Sequence, residues 1–206
     1  MNTPIVHIVD DDEAVRRSLA MLLESLQQPA ATYASAAALL AAAAAPGGLA
    51  PGCILVDVRM EGLDGISLIE ALRRQGVGLP MVVVTGHADV PLAVRAMRAG
   101  AMDFVEKPYS EERILEAVEG ALDALRATDQ RLQLELQASA QVAGLSPRES
   151  EVLAALVAGK ANKVIAFELG ISPRTVEVHR AHLMEKLGVR SLPEAVRIGL
   201  AAGIQP

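Results

Sequence analysis

The amino-acid sequence predicts an α/β fold, a doubly wound (βα)5 parallel sheet, followed by a second, smaller all-α domain, and three observations predict it. Short β-rich runs alternate five times with helix-period segments over the first 124 residues, the pattern of parallel strands with helices on both faces. Beyond residue 143 no strand signal remains, and four helical segments follow. Charge divides at the same place. Residues 1–143 hold 11 Lys+Arg against 19 Asp+Glu, a balance of −8, whereas residues 144–206 hold 8 against 6, a balance of +2 with no aspartate. The expected units are 1–124, a helical linker over 125–143, and 144–206.

In order, strands are expected at 5–9, 30–33, 53–56, 81–84 and 102–105, the second being the weakest signal. They are rich in Val, Ile, Leu and Met with few charges, as strands covered on both faces are. Helices are expected at 13–26, 35–45, 65–75 and 89–99, with a fifth starting at Ser110. The tract AAALLAAAAA is a strong helix former ended by Pro46-Gly47-Gly48. Ser110 precedes Glu111 and Glu112, a cap followed by acids that suit a helix N-terminus. The apolar stripe of this helix (Ile114, Leu115, Val118, Leu122, Leu125) thins out through Leu132 and Leu136, so 129–141 reads as a helical extension or linker. Ser146-Pro147-Arg148-Glu149 is a capping box with proline at the first helical position, and helices follow near 147–158, 162–169, 173–187 and 191–202.

Composition narrows the function classes. Apolar residues make up 51% but aromatics only 2%, so the cores are aliphatic. The lone Cys53 excludes an intramolecular disulfide and, within CILVD, reads as a small buried hydrophobe. No window nears 18 uninterrupted strongly apolar residues and no signal-peptide pattern opens the chain. A soluble cytoplasmic protein without membrane contact is expected.

In a doubly wound sheet the functional cleft lies outside the carboxyl ends of the strands. The first strand runs into Asp10, Asp11 and Asp12, the third ends at Asp57, the fourth at Thr85-Gly86, and the fifth at Lys107-Pro108. Carboxylates, a hydroxyl and an ammonium thus meet at one sheet edge. Taken singly, the aspartates read as a helix cap and Lys107 as a surface lysine; their joint placement argues for a site. Hard carboxylate oxygens suit Mg2+, which takes one or two carboxylates and keeps several waters. Lys107 is the only lysine in the first 143 residues. A compact ammonium on a flexible stem is a point charge, unlike the broad guanidinium fork used elsewhere in this region.

The stretches IVDDDEAVRRSL, CILVDVRMEGLDG and VVVTGHADVPLAVRAMRAGAMDFVEKPY resemble the receiver domain of bacterial two-component response regulators, and specifically the FixJ subgroup, over residues 4–124. The resemblance implies that Asp57 is the phosphoacceptor. It also implies that Asp10 and Asp11 form the acidic pair for Mg2+, with Asp11, Asp57 and the backbone carbonyl of Arg59 as direct ligands. Thr85 is then the switch hydroxyl, Phe104 the switch aromatic, and Lys107 the lysine before a cis proline. Glu61 departs from the family, standing where most receivers have proline, and Asp12 adds a third carboxylate. His87 matches a loop position of the subgroup and is set aside as a catalyst.

In the second domain, a helix from Asn162 ends at Gly170, and Ser172 with Pro173 starts the next. At 100° per residue, Val176, Leu183 and Leu187 form one stripe toward the core. Arg174, Val178, Ala181 and Glu185 face the other way, flanked by Glu177 and His182. Apolar residues on an outward face suit thymine methyls in a major groove, and Glu177 could accept from cytosine N4. GLSPRESEVL, NKVIAFELGISPRTVEVHR and KLGVRSLPEAV resemble the LuxR/FixJ-type helix-turn-helix. The resemblance implies that Lys163, Arg174, Thr175, His179 and Arg180 contact phosphates or the groove edge, and that the final helix supplies a dimer surface.

The expected function is that of a DNA-binding response regulator. A sensor histidine kinase phosphorylates Asp57 with Mg2+; the protein then dimerises through Val90, Pro91, Val94 and Arg95 and regulates transcription at promoter DNA, with RNA polymerase a further candidate partner. Beyond its own phosphoryl transfer and dephosphorylation it is not expected to be an enzyme. A haloacid-dehalogenase-like phosphatase needs a second acid two residues after Asp57, where Arg59 stands. The alternative is a phosphorylation-independent regulator with a vestigial receiver.

Overall fold

The computed structural model describes residues 3–86 and 89–205, so His87 lies outside the described residues. The chain divides into two compact units, Met1–Ala127 and Thr128–Pro206. The first contains β1 (Ile5–Val9), α1 (Glu13–Ser25), β2 (Ala30–Tyr33), α2 (Ala36–Ala44), β3 (Gly52–Asp57), α3 (Gly65–Arg74), β4 (Met81–Thr85), α4 (Val90–Ala99) and β5 (Asp103–Glu106). The division falls inside α5 (Glu111–Ala143), and residues 125–143, expected as a helical linker, belong to that helix. All strand pairs are parallel, in the order β2-β1-β3-β4-β5.

Period-two alternation sorts the core onto the two sheet faces. Val6, Ile8, Cys53, Leu55, Val82 and Val84 pack with Leu19 and Leu23 of α1 and Ile114, Val118 and Leu122 of α5. Val9, Ile54, Val56, Met81 and Val83 pack with Leu39 of α2 and Ile66, Ile69 and Leu72 of α3. Each fully buried Leu or Ile contributes about 1.5–3 kcal/mol. β5 begins one residue later than expected, at Asp103; within it Val105 is 1% exposed and faces the core, whereas Met102 before it is 40% exposed. Buried Cys53 has its thiol pushed up to about 12 by desolvation, which makes it inert. On β1, His7 is buried with Nδ1 3.2 Å from the Tyr33 hydroxyl and Nε2 3.0 Å from the Ala50 carbonyl. Burial holds its pKa below the usual imidazole value, against the Ala50 bond.

The second unit holds α6 (Pro147–Val157), α7 (Asn162–Leu169), α8 (Pro173–Leu187) and α9 (Leu192–Ala201) around one apolar core. The expected capping box is present: Glu149 N–H donates to Ser146 Oγ at 3.4 Å, and Ser146 N–H to Glu149 Oε2 at 2.7 Å. Glu149 also accepts from Lys186 Nζ at 2.7 Å, tying the start of α6 to the end of α8.

Candidate functional site

Asp10 follows β1 and Asp57 ends β3, neighbouring strands whose onward connections leave for opposite faces of the sheet, so both lie at the topological switch point. Both are buried, at 4% and 6% exposure. From the end of β5, Lys107 Nζ donates to Asp10 Oδ2 at 2.7 Å and to Asp57 Oδ1 at 2.9 Å. The Lys107–Pro108 peptide bond is cis, and Lys107 N–H donates to the Thr85 carbonyl at 2.8 Å, joining the ends of β5 and β4. Thr85 itself is fully buried.

Burial raises the Asp57 carboxyl above the usual carboxylate range, and the Lys107 hydrogen bond pulls against that shift without cancelling it. For Lys107 burial acts downward, but its two carboxylate partners together outweigh it and its pKa stands above the ordinary value.

Asp10 is fastened at four atoms. Its N–H donates to the Tyr33 carbonyl at 3.3 Å; its carbonyl accepts from Arg16 at 2.6 Å; Oδ1 accepts from Asp12 N–H at 2.9 Å; and Oδ2 takes Lys107. Asp11 is exposed, with Oδ2 accepting from Glu61 N–H at 3.1 Å. The departure from proline at 61 therefore supplies a donor that proline lacks. Asp12 is the N-cap of α1, accepting from Ala14 N–H at 2.8 Å and Val15 N–H at 3.4 Å. Gly65 lets α3 start close to the end of β3, since a Cβ there would stand 2.1 Å from the Asp57 carbonyl oxygen. Arg16, Tyr33, Glu61 and Gly65 were not foreseen as parts of the site. Arg16 acts through its guanidinium on the Asp10 carbonyl, Tyr33 and Glu61 through backbone atoms, and Gly65 through the space it leaves; none of these contacts follows from local sequence pattern.

Among the described residues no three His, Cys, Asp or Glu side chains converge as a metal cage. Mg2+ does not require one, because one or two carboxylates and water complete its octahedron. Asp10 has both oxygens committed within the protein. Asp57 and Asp11 each accept a hydrogen bond as well, yet a carboxylate oxygen can take more than one partner; Asp11, Asp57 and the Arg59 carbonyl, beside Asp10, supply hard oxygens in a set that fits the ion.

Beside the cleft, Asp89, Val90, Phe104, Tyr109 and Arg113 line an open groove of about 580 Å3. Val90 is 78% and Val94 44% exposed. Arg113 holds Asp103 through both carboxylate oxygens, at 3.0 and 2.9 Å.

In the second unit, Gly170 ends α7 at φ 67°, a left-handed position that favours glycine, and Ser172 caps α8 through Thr175 N–H at 3.1 Å. Val176, Leu183 and Leu187 are buried, while Arg174, Glu177, Val178, Ala181 and His182 are exposed. Thr175, His179 and Arg180 are half-buried. Ion pairs occupy Arg148, Lys160 and Lys186; Lys163 and Arg174 stand exposed at the starts of α7 and α8. Among the described residues no helix is long and apolar enough to cross a membrane.

The sequence profile of the response regulator receiver domain matches residues 6–119, and that of the bacterial regulatory proteins of the luxR family matches residues 143–198. The transcriptional regulatory protein FixJ of Azorhizobium caulinodans is 48% identical over 201 residues, covering 98% of this chain and 94% of that one. FixJ of Rhizobium meliloti is 45% identical over 207 residues, covering 98% and 97%. Among solved structures, full-length FixJ from B. japonicum matches at a TM-score of 0.61 with 42% identity over 100% of both chains. The response regulator StyR matches at 0.75 with 38% identity over 96% of this chain and 98% of that one.

Proposed function

From a chain that belongs to the FixJ-type response regulators, with a receiver domain and a LuxR-type DNA-binding domain, we propose a phosphorylation-gated regulator of transcription. A sensor histidine kinase is the donor. The Asp57 carboxylate attacks phosphorus, the phosphorus–nitrogen bond of the kinase's phosphohistidine breaks, and the electron pair leaves with the imidazole. The observation that carries this reading is one ammonium, Lys107 Nζ, held between two buried carboxylates. A phosphoryl group on Asp57 adds negative charge beside Lys107, and a point charge on a flexible stem can turn to meet it. Mg2+ held by Asp11, Asp57 and the Arg59 carbonyl would neutralise phosphoryl oxygens during transfer.

Thr85 and Phe104 lie on β4 and β5 and link the cleft to the α4 face. Exposed Val90 and Val94, with Pro91 and Arg95, are the surface through which two phosphorylated copies would pair. Paired chains bring two α8 helices to promoter half-sites about one helical turn or a multiple of it apart.

The test is incubation with acetyl phosphate and Mg2+, read by intact mass. A base-labile phosphoryl adduct on the wild type that is absent from Asp57→Asn is expected. An adduct retained by that variant would reassign the acceptor, and no adduct on either would favour a vestigial receiver.

A further inference from the structure

The family resemblance places Arg180 at DNA, but its surroundings point elsewhere. On a wheel of roughly 100° per residue, Arg180 lies about 40° from the centre of the Val176–Leu183–Leu187 stripe and about 140° from the outward face. Ala181 and Val178 occupy that face, and both are exposed. The Arg180 guanidinium instead donates from a terminal nitrogen to Asn162 Oδ1 at 2.8 Å. Asn162 is the first residue of α7, whose N-cap, Ala161, offers no side-chain hydrogen bond.

A second observation concerns the other edge of the same group. Arg180 Nε is buried and, among the described residues, has no hydrogen-bond partner. Buried donors are paired in the great majority of cases, and leaving one unpaired is destabilising. An unbranched apolar side chain of similar length would fill the site without that penalty. Methionine would remove both that donor and the Asn162 bond, so packing alone does not account for an arginine at this position.

We infer that Arg180 is a positioning residue: through Asn162 it fixes how α7 crosses α8, and so how the outward face of α8 meets DNA, without itself neutralising a phosphate. This rests on the DNA-binding reading. A guanidinium suits the task because its planar fork holds Asn162 at a set distance and angle, which a flexible ammonium does not.

The test uses the full-length chain, treated with acetyl phosphate, and a duplex that the wild type selects from a random-sequence pool. That selection examines DNA binding itself, and the ratios of variant to wild type examine the strut. Affinity is measured across a salt series for Arg180→Met, Asn162→Ala and the double variant. Each single variant is expected to bind roughly tenfold more weakly, the scale of one charge-assisted hydrogen bond, and the double variant no more weakly than either. The slope of log affinity against log salt should stay at the wild-type value in all three. Arg180→Met should melt near the wild-type temperature, and Asn162→Ala keeps the arginine should that variant misfold. A slope reduced by about 0.9 in Arg180→Met, with wild-type binding by Asn162→Ala, would make Arg180 a phosphate contact. Wild-type affinity in both single variants would equally overturn the inference.

Discussion

Each unit of this protein closes one lysine onto a buried carboxylate, and the two pairs behave in opposite ways. Lys186 donates to Glu149 at 2.7 Å, and Lys107 donates to Asp57 at 2.9 Å. Glu149 is held down to about 2, first by Lys186 and then by Ser146 N–H, which together outweigh the opposing effect of burial. It is 4% exposed, yet Lys186 beside it is 46% exposed, so the pair sits just under the surface. Asp57 lies at the edge of a sheet covered on both faces, and there burial prevails and the carboxyl is raised. The teaching is that a lysine–carboxylate contact has no fixed meaning. One such pair is a permanent brace; in the other the carboxylate keeps basicity, and its lysine is shared with a second acid.

Four changes test that contrast, from the largest expected effect to the smallest. Lys107→Arg should leave acetyl phosphate labelling of Asp57 in place but abolish the response of promoter output to it, because a fork does not fit a point-charge position; wild-type output in a reporter assay would show that the two cations are interchangeable there. Val90→Asp should leave labelling intact, prevent dimerisation in sedimentation of the phosphorylated protein, and lose the roughly 10²–10⁴ of avidity that a second reader supplies. A stable phosphorylated dimer of this variant would place the pairing surface elsewhere.

Glu149→Gln probes the brace. A carboxyl depressed from 4.5 to about 2 contributes stability that is fully present above pH 4.5 and fades as pH falls toward 2. The variant should melt lower at pH 7 by far-ultraviolet circular dichroism, with the loss between those pH values flattened. An unchanged acid limb would mean that other groups set it. The smallest effect is expected from Lys163→Ala, an exposed cation at the start of α7. It should weaken selected and scrambled duplexes alike and lower the salt slope by about 0.9, one phosphate contact. A loss confined to the selected duplex would make Lys163 a reader of sequence.

The two regions also differ in how much of them could be read beforehand. Strand ends at Asp57, Thr85 and Lys107 could be placed because alternation and caps fix where each strand stops, and doubly wound topology brings those ends together. The buried stripe of α8 followed from its period alone, and the capping box from four consecutive residues. Pairings across long sequence separations were not readable. Nothing in the local pattern joins Lys186 to Glu149, or Arg180 to Asn162; Lys107 could be brought to the edge that holds Asp10 and Asp57, but not its two hydrogen bonds there. The helix from Glu111 runs on to Ala143 although its apolar stripe thins out after Leu125. Alanine, leucine and glutamine sustain the helix there, and its end is buried again in the second unit, where Ala138 is 4% exposed and Val142 packs on the apolar core.

The four-point hold on Asp10 has a consequence for timing. A side chain fixed at both oxygens, in a residue also fixed at its N–H and carbonyl, gives up its rotamer freedom when the chain folds, long before any phosphoryl group arrives. In the phosphoryl transfer proposed above, little entropy would remain to be lost there, and Asp10 would serve as a stationary reference against which Lys107 moves. Exposed Asp11, held at one oxygen by Glu61 N–H, keeps more of that freedom. The conformational entropy of filling the cleft would then fall on Asp11 and on the lysine stem, dividing the neighbouring aspartates of one loop into a fixed post and a moving jaw.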